Sequence, residues 1–114
     1  MATDLFAGIP VKDYEAALAW YEQLFGSPPT FVASDTEVVW ELAEHRCIAI
    51  EHVPERAGNA MNTVFVDDFD DRVAAIESRG LTPVKRETYG NGARKALYRD
   101  PDGNEIGIGG PPVE

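Results

Sequence analysis

The sequence predicts an α+β fold: two βαβββ modules packed as one domain over residues 1–114, divided at about 1–55 and 56–110. Three observations carry this. The 114-residue chain is 44% hydrophobic, enough for one domain with its own core. The order strand, helix, strand, strand, strand is legible twice. The two copies also agree residue by residue at an offset of about 55 positions. Val11-Lys12-Asp13-Tyr14-Glu15 matches Val66-Asp67-Asp68-Phe69-Asp70, Leu18-Ala19 matches Val73-Ala74, and Tyr21-Glu22 matches Ile76-Glu77. Gly26 nearly matches Gly80.

The first apolar run, Leu5 to Val11, reads as a strand. Asp13 follows as a helix N-cap, its carboxylate placed to accept from orphan backbone N–H groups. Tyr14, Ala17, Leu18, Tyr21, Leu24 and Phe25 then share one face at three- and four-residue spacing. Gly26 stops this helix, and Pro28 and Pro29 prevent its continuation. Three strands follow at 30–33, 37–42 and 46–53, with turns at Ser34-Asp35 and Glu44-His45, and a loop at 54–60. The second module restarts with a strand at 61–66. Asp68 caps a helix that turns Phe69, Val73 and Ile76 inward, and Gly80 closes it. Strands are predicted at 82–88, 94–99 and 105–108, with a hairpin turn at Gly90-Asn91-Gly92 and a loose tail from Gly109. The stretch Asp100-Pro101-Asp102-Gly103-Asn104 has strong turn chemistry, and a strand of alternating Ile and Gly follows it.

Composition removes several function classes. The net charge of −10 argues against nucleic acid, whose phosphates need clustered Lys and Arg, and equally against an anionic membrane surface. The one cysteine, Cys47, allows no intrachain disulfide. No apolar run approaches the ~20 residues of a membrane span, and the N-terminal stretch lacks signal-peptide character, so a cytoplasmic protein is expected. His45 and His52 have no useful spacing and read as surface or structural residues. The acidic run at 67–71 suits a helix N-terminus better than calcium.

With these motifs in this order, the chain resembles the vicinal oxygen chelate superfamily, which includes glyoxalase I, bleomycin-resistance proteins, fosfomycin-resistance enzymes and extradiol dioxygenases. The resemblance rests on Gly8-Ile9-Pro10-Val11-Lys12-Asp13, Trp20-Tyr21, Phe25-Gly26, Phe65-Val66-Asp67-Asp68, Arg79-Gly80 and Asp100–Asn104. It implies two modules whose curved mixed sheet forms a cleft. It also implies four places where metal-using members carry ligands, which fall here on Phe6, Ala49, Met61 and Gly107. A divalent metal in such a site needs imidazole or carboxylate donors, and these four supply neither, so no metal and no cofactor are expected.

Strand alternation assigns the cleft. Ala7, Ile9, Val11, Val64, Val66, Ile106 and Ile108 should face the helices, which leaves Phe6, Ala49, Glu51, Met61, Thr63, Phe65, Glu105 and Gly107 toward a ligand. Trp40 suits either face; turned inward, it would offer a stacking platform. Such a cleft is apolar, aromatic and edged by carboxylates, which suits a flat or cationic organic molecule. The same aromatics can equally fill space or meet a second subunit. The leading expectation is a metal-free homodimeric binder of small organic molecules, with no catalytic residue and with module swapping as an option. The alternative is a metal-dependent glyoxalase- or dioxygenase-like lyase or isomerase using Glu51, Glu105 or His52. A third reading is a scaffold whose dimer surface is its function.

Overall fold

The structure, a computed structural model, describes residues 3–113. Met1, Ala2 and Glu114, and with them the ends of the N-terminal stretch and of the tail, lie outside the described residues. The chain runs β1 (Leu5–Val11), α1 (Tyr14–Phe25), β2 (Phe31–Ser34), β3 (Glu37–Ala43), β4 (Arg46–His52), β5 (Met61–Phe65), α2 (Phe69–Ser78), β6 (Lys85–Thr88), β7 (Arg94–Arg99) and β8 (Glu105–Gly110). Each module makes one four-stranded sheet, in the orders β1-β4-β3-β2 and β5-β8-β7-β6. The first strand of each module pairs parallel with the last, and the remaining pairs are antiparallel. The duplication in the sequence is therefore a duplication of topology. It leaves β1 and β5 as edge strands of their sheets.

The helices form where the sequence places them. Asp13 accepts from the Ala16 N–H at 3.1 Å, and Gly26 closes α1 at φ 78°. The α2 start differs. Asp68 makes no side-chain capping bond and instead faces Arg72, one turn on, at 3.6 Å. The Arg72 guanidinium competes for the carboxylate that would otherwise cap the helix.

Two further expectations are corrected. Residues 82–84 are not strand; β6 begins at Lys85, because Pro83 has no N–H to give a ladder, although the Val84 N–H still donates to the Leu97 carbonyl at 2.7 Å. Gly109 and Gly110 are not loose tail. They are the buried end of β8, and Phe69 of α2 packs against Gly110.

The helix-covered faces of the two modules share one core. Ile9, Val11, Tyr21, Trp40, Ile48 and Ile50 from the first module join Phe69, Val73, Ile76, Tyr98, Ile106 and Ile108 from the second in a single buried cluster. Two polar staples reinforce it. In one, Asp100 and the fully buried Asn104 reach from the β7–β8 turn into the first module. The Asp100 carboxylate accepts from the Tyr21 hydroxyl at 2.8 Å, and Asn104 Nδ2 donates to the Pro10 carbonyl at 2.9 Å. Asn104 Oδ1 accepts from the N–H groups of Gly58 and Ala60, and Asp102 accepts from that of Lys12. In the other staple, the Arg79 guanidinium donates to the carbonyls of Gln23 and Leu24 at the end of α1, and Gln23 donates back to the Arg79 carbonyl.

Candidate functional site: two open sheet faces

Because the helix sides meet in one core, the opposite face of each sheet lies on the outside of the chain. Alternation fixes what each face presents. On the first sheet these are Phe6, Gly8 and Pro10 of β1, Cys47, Ala49 and Glu51 of β4, Glu37, Val39 and Glu41 of β3, and Phe31 of β2. On the second they are Met61, Thr63 and Phe65 of β5, Glu105, Gly107 and Gly109 of β8, Lys95, Leu97 and Arg99 of β7, and Lys85 and Glu87 of β6.

Large apolar side chains on these faces are open to solvent. Phe6 is 50% exposed, Met61 73% and Phe65 65%. Small residues form the floor of the first face: Val39, Cys47 and Ala49 are buried as a cluster of their own. Burial, with the carboxylates of Glu41 and Asp4 nearby, pushes the Cys47 thiol above its ordinary value, which favours its neutral form.

The glycines of β8 have a specific use. A Cβ on Gly107 would sit 2.5 Å from Lys95 Cε and 3.0 Å from Thr63 Oγ1. A Cβ on Gly109 would sit 3.3 Å from the Phe65 ring. The bare face of β8 is thus covered by side chains of its neighbours, the Lys95 stem from one side and Phe65 from the other.

The residues expected to line a ligand site divide accordingly. Phe6, Ala49 and Glu51 lie together on one face; Met61, Thr63, Phe65, Glu105 and Gly107 lie together on the other. One chain does not close the two faces into a single cleft. Trp40 belongs to neither. It is 2% exposed beneath α1, packed on Tyr21 and Phe25, with Nε1 donating to the Ser27 carbonyl at 3.0 Å. Glu105 is ion-paired with Arg99 at 3.0 Å. A groove of about 880 Å³ opens beside the edge strands β1 and β5, walled by Leu5, Ala7, Leu42 and Ile48 on one side and Asn62, Val64 and Val66 on the other. Of the expected lining residues, Thr63 and Phe65 border it.

A family model described as the Glyoxalase/Bleomycin resistance protein/Dioxygenase superfamily matches residues 4–108. The chain belongs to this superfamily. Among solved structures it is similar to a glyoxalase/bleomycin resistance protein from Catenulispora acidiphila DSM 44928, with 49% identity and a TM-score of 0.93 over 97% of this chain and 100% of that one. It shares its fold with a lactoylglutathione lyase from Agrobacterium tumefaciens, at 17% identity and a TM-score of 0.79 over 96% and 94% of the two chains. It likewise shares its fold with a bleomycin resistance determinant encoded on the transposon Tn5, at 17% identity and a TM-score of 0.77 over 98% and 100%. No curated protein matches the chain.

Metal-using members of the superfamily set the test for this donor set. The four positions that the resemblance assigns to ligands, Phe6, Ala49, Met61 and Gly107, hold phenyl, methyl, thioether and no side chain. Among the described residues no three His, Cys, Asp or Glu side chains gather into a metal-binding group. His52 and Glu51 are both exposed, and Glu105 is engaged by Arg99. These residues do not fit a divalent metal of the superfamily type.

Sequence reasoning missed Lys95, the two staples and the division of the lining residues between two outward faces. Alternation through the core positions Ala96 and Tyr98 would have placed Lys95 on the open face. The staples carry no local signal, since Tyr21 and Asp100 are 79 residues apart.

Proposed function

We propose that this protein binds a small aromatic organic molecule, without metal, in pockets formed between two copies of the chain. The single observation that carries this reading is the pair of outward sheet faces with exposed Phe6, Phe31, Met61 and Phe65. Exposed rings grouped on one surface mark an interaction site. A two-fold dimer would lay the first sheet of one copy against the second sheet of its partner, twice, and give each pocket one wall from each subunit.

Charge supports this pairing. The first face carries Glu37, Glu41 and Glu51 and no basic residue. The second carries Lys85, Lys95 and Arg99, with Glu87 and Glu105 paired to Lys85 and Arg99. The unpaired edges of β1 and β5 would be covered in the same assembly. Binding would proceed by stacking on Phe6, Phe31 and Phe65, with a cationic group of the ligand held by the acidic wall, and no bond would be broken. A structure sharing the fold at 18% identity is that of a bleomycin-binding protein complexed with bleomycin, which lends the binding reading support without naming a ligand.

Two measurements test the proposal. Sedimentation equilibrium should give twice the chain mass, and Phe65→Glu should shift it toward the monomer. A thermal-shift screen of aromatic amines should find compounds that raise the melting temperature, because a ligand at 100 times its Kd adds about 2.7 kcal/mol. A monomeric protein that no aromatic compound stabilises would sink the reading.

A further inference from the structure

Lys95 is the basic residue of the second face outside any ion pair: Glu87, opposite it in the β6–β7 ladder, pairs with Lys85 instead. Among the described residues its ammonium makes no ion pair and no hydrogen bond, whereas Lys85 and Arg99 on the same face are both paired. Thr63 is exposed, and its hydroxyl is bonded to no protein group among the described residues. The two side chains meet over Gly107: Lys95 Cε, the carbon that carries the ammonium, and Thr63 Oγ1 lie 2.5 and 3.0 Å from where a Cβ of Gly107 would stand. The neighbouring strand positions supply an apolar surround, with Met61 and Phe65 flanking Thr63 along β5. A lysine stem and a solvent-facing hydroxyl that meet over a bare glycine, beside an exposed ring, can turn an ammonium and an O–H donor to one oxyanion.

We infer that Lys95 and Thr63 form an oxyanion seat over Gly107, and that the ligand carries a carboxylate, sulfonate or similar group on its aromatic body. The inference rests on the proposed pocket and deepens it. One wall is acidic and the other ends in a free ammonium, so the ligand is an amphoteric aromatic and not a simple cation. Gly107 is part of the seat, because any side chain there would displace the lysine stem that delivers the charge.

The test uses two dyes with the same ring system. 8-Anilinonaphthalene-1-sulfonate carries a sulfonate; N-phenyl-1-naphthylamine is the same molecule without it. Fluorescence titration of the full chain should show tighter binding of the sulfonate dye, weakened by salt. Lys95→Met should weaken that dye about tenfold and leave the neutral dye within about twofold, as expected for losing one charge-assisted hydrogen bond. Gly107→Ala keeps the lysine but pushes Cε away, and should weaken the sulfonate dye selectively too. Lys95→Gln repeats the measurement if Lys95→Met is unfolded. If the lysine variants weaken both dyes equally, or neither, the oxyanion seat is wrong while the binding face stands. If the wild-type protein binds neither dye, the binding face and the seat fail together.

Discussion

Tyr21 and Tyr98 are both buried, yet their hydroxyls have opposite fates. The Tyr21 hydroxyl donates to Asp100, whereas that of Tyr98 has no partner among the described residues. A buried polar group without a partner costs about 1–3 kcal/mol, and removing one member of a buried pair costs a similar amount. Tyr98→Phe should therefore leave stability unchanged or raise it by about 1 kcal/mol, and Tyr21→Phe should lower it by about 1–3 kcal/mol; urea unfolding at pH 7 separates the two. Tyr21 also predicts an alkaline limit. Burial and the Asp100 carboxylate push its phenol above the ordinary 10.0, so the folded state holds its proton where the unfolded chain releases it. The resulting stability is fully present below pH 10 and is lost as pH climbs toward the folded-state value. The urea midpoint of the wild type should fall more steeply above pH 10 than that of Tyr21→Phe. A parallel decline would show that Tyr21 is not responsible. At this scale the sequence is least informative: Trp40 reads as a candidate platform, but alternation with Val38 places it under α1, and only the packed helix decides which side that is.

The elements themselves are legible because each obeys a local rule. Asp13 and Gly26 bracket α1, two-residue alternation marks the strands, and Gly90–Gly92 turns the β6–β7 hairpin, where Gly92 has φ 88°. A boundary can fall where the rule puts it and still lack the expected bond, as at Asp68, which faces Arg72 instead of capping α2. The end of β8 departs from its local pattern for a different reason. Two glycines before two prolines resemble a tail, and nothing local shows that Phe69 needs a residue without a side chain beneath it. That need gives a prediction. A Cβ on Gly110 would meet Phe69 Cβ at 2.3 Å, an atom fixed to the α2 backbone, so Gly110→Ala should cost about 1–3 kcal/mol. Gly107→Ala meets only the mobile end of Lys95 and should cost less. Thermal unfolding of the two variants ranks them, and an equal loss would show that α2 moves freely over β8. Arg79 acts on an element of the other module by satisfying carbonyls that α1 leaves unpaired. Arg79→Ala should lower stability by about 1 kcal/mol and speed amide exchange at the end of α1.

For the molecule as a whole, the repeat specifies two modules, but the way they pack depends on side chains far apart in the sequence. The two modules share a core and their sheets stay open with faces turned outward, since Tyr21, Pro10 and Lys12 are tied to the 100–104 turn. No helix of the described chain is long and apolar enough to cross a membrane. If the charged faces pair between copies, salt should weaken the association, and Glu41→Lys should weaken it further by placing like charges together. Sedimentation at low and high ionic strength checks both. The turn at 100–104 also has a bearing on synthesis. The Pro10 carbonyl leaves the ribosome 94 residues ahead of its partner, Asn104. The first module can form its sheet while tethered, but Tyr21, Lys12 and the Gly58–Ala60 loop wait for the 100–104 turn. Docking of the two modules on the nascent chain therefore waits until residue 104 has emerged, and a chain stopped before residue 100 leaves Tyr21, Pro10 and Lys12 without these partners.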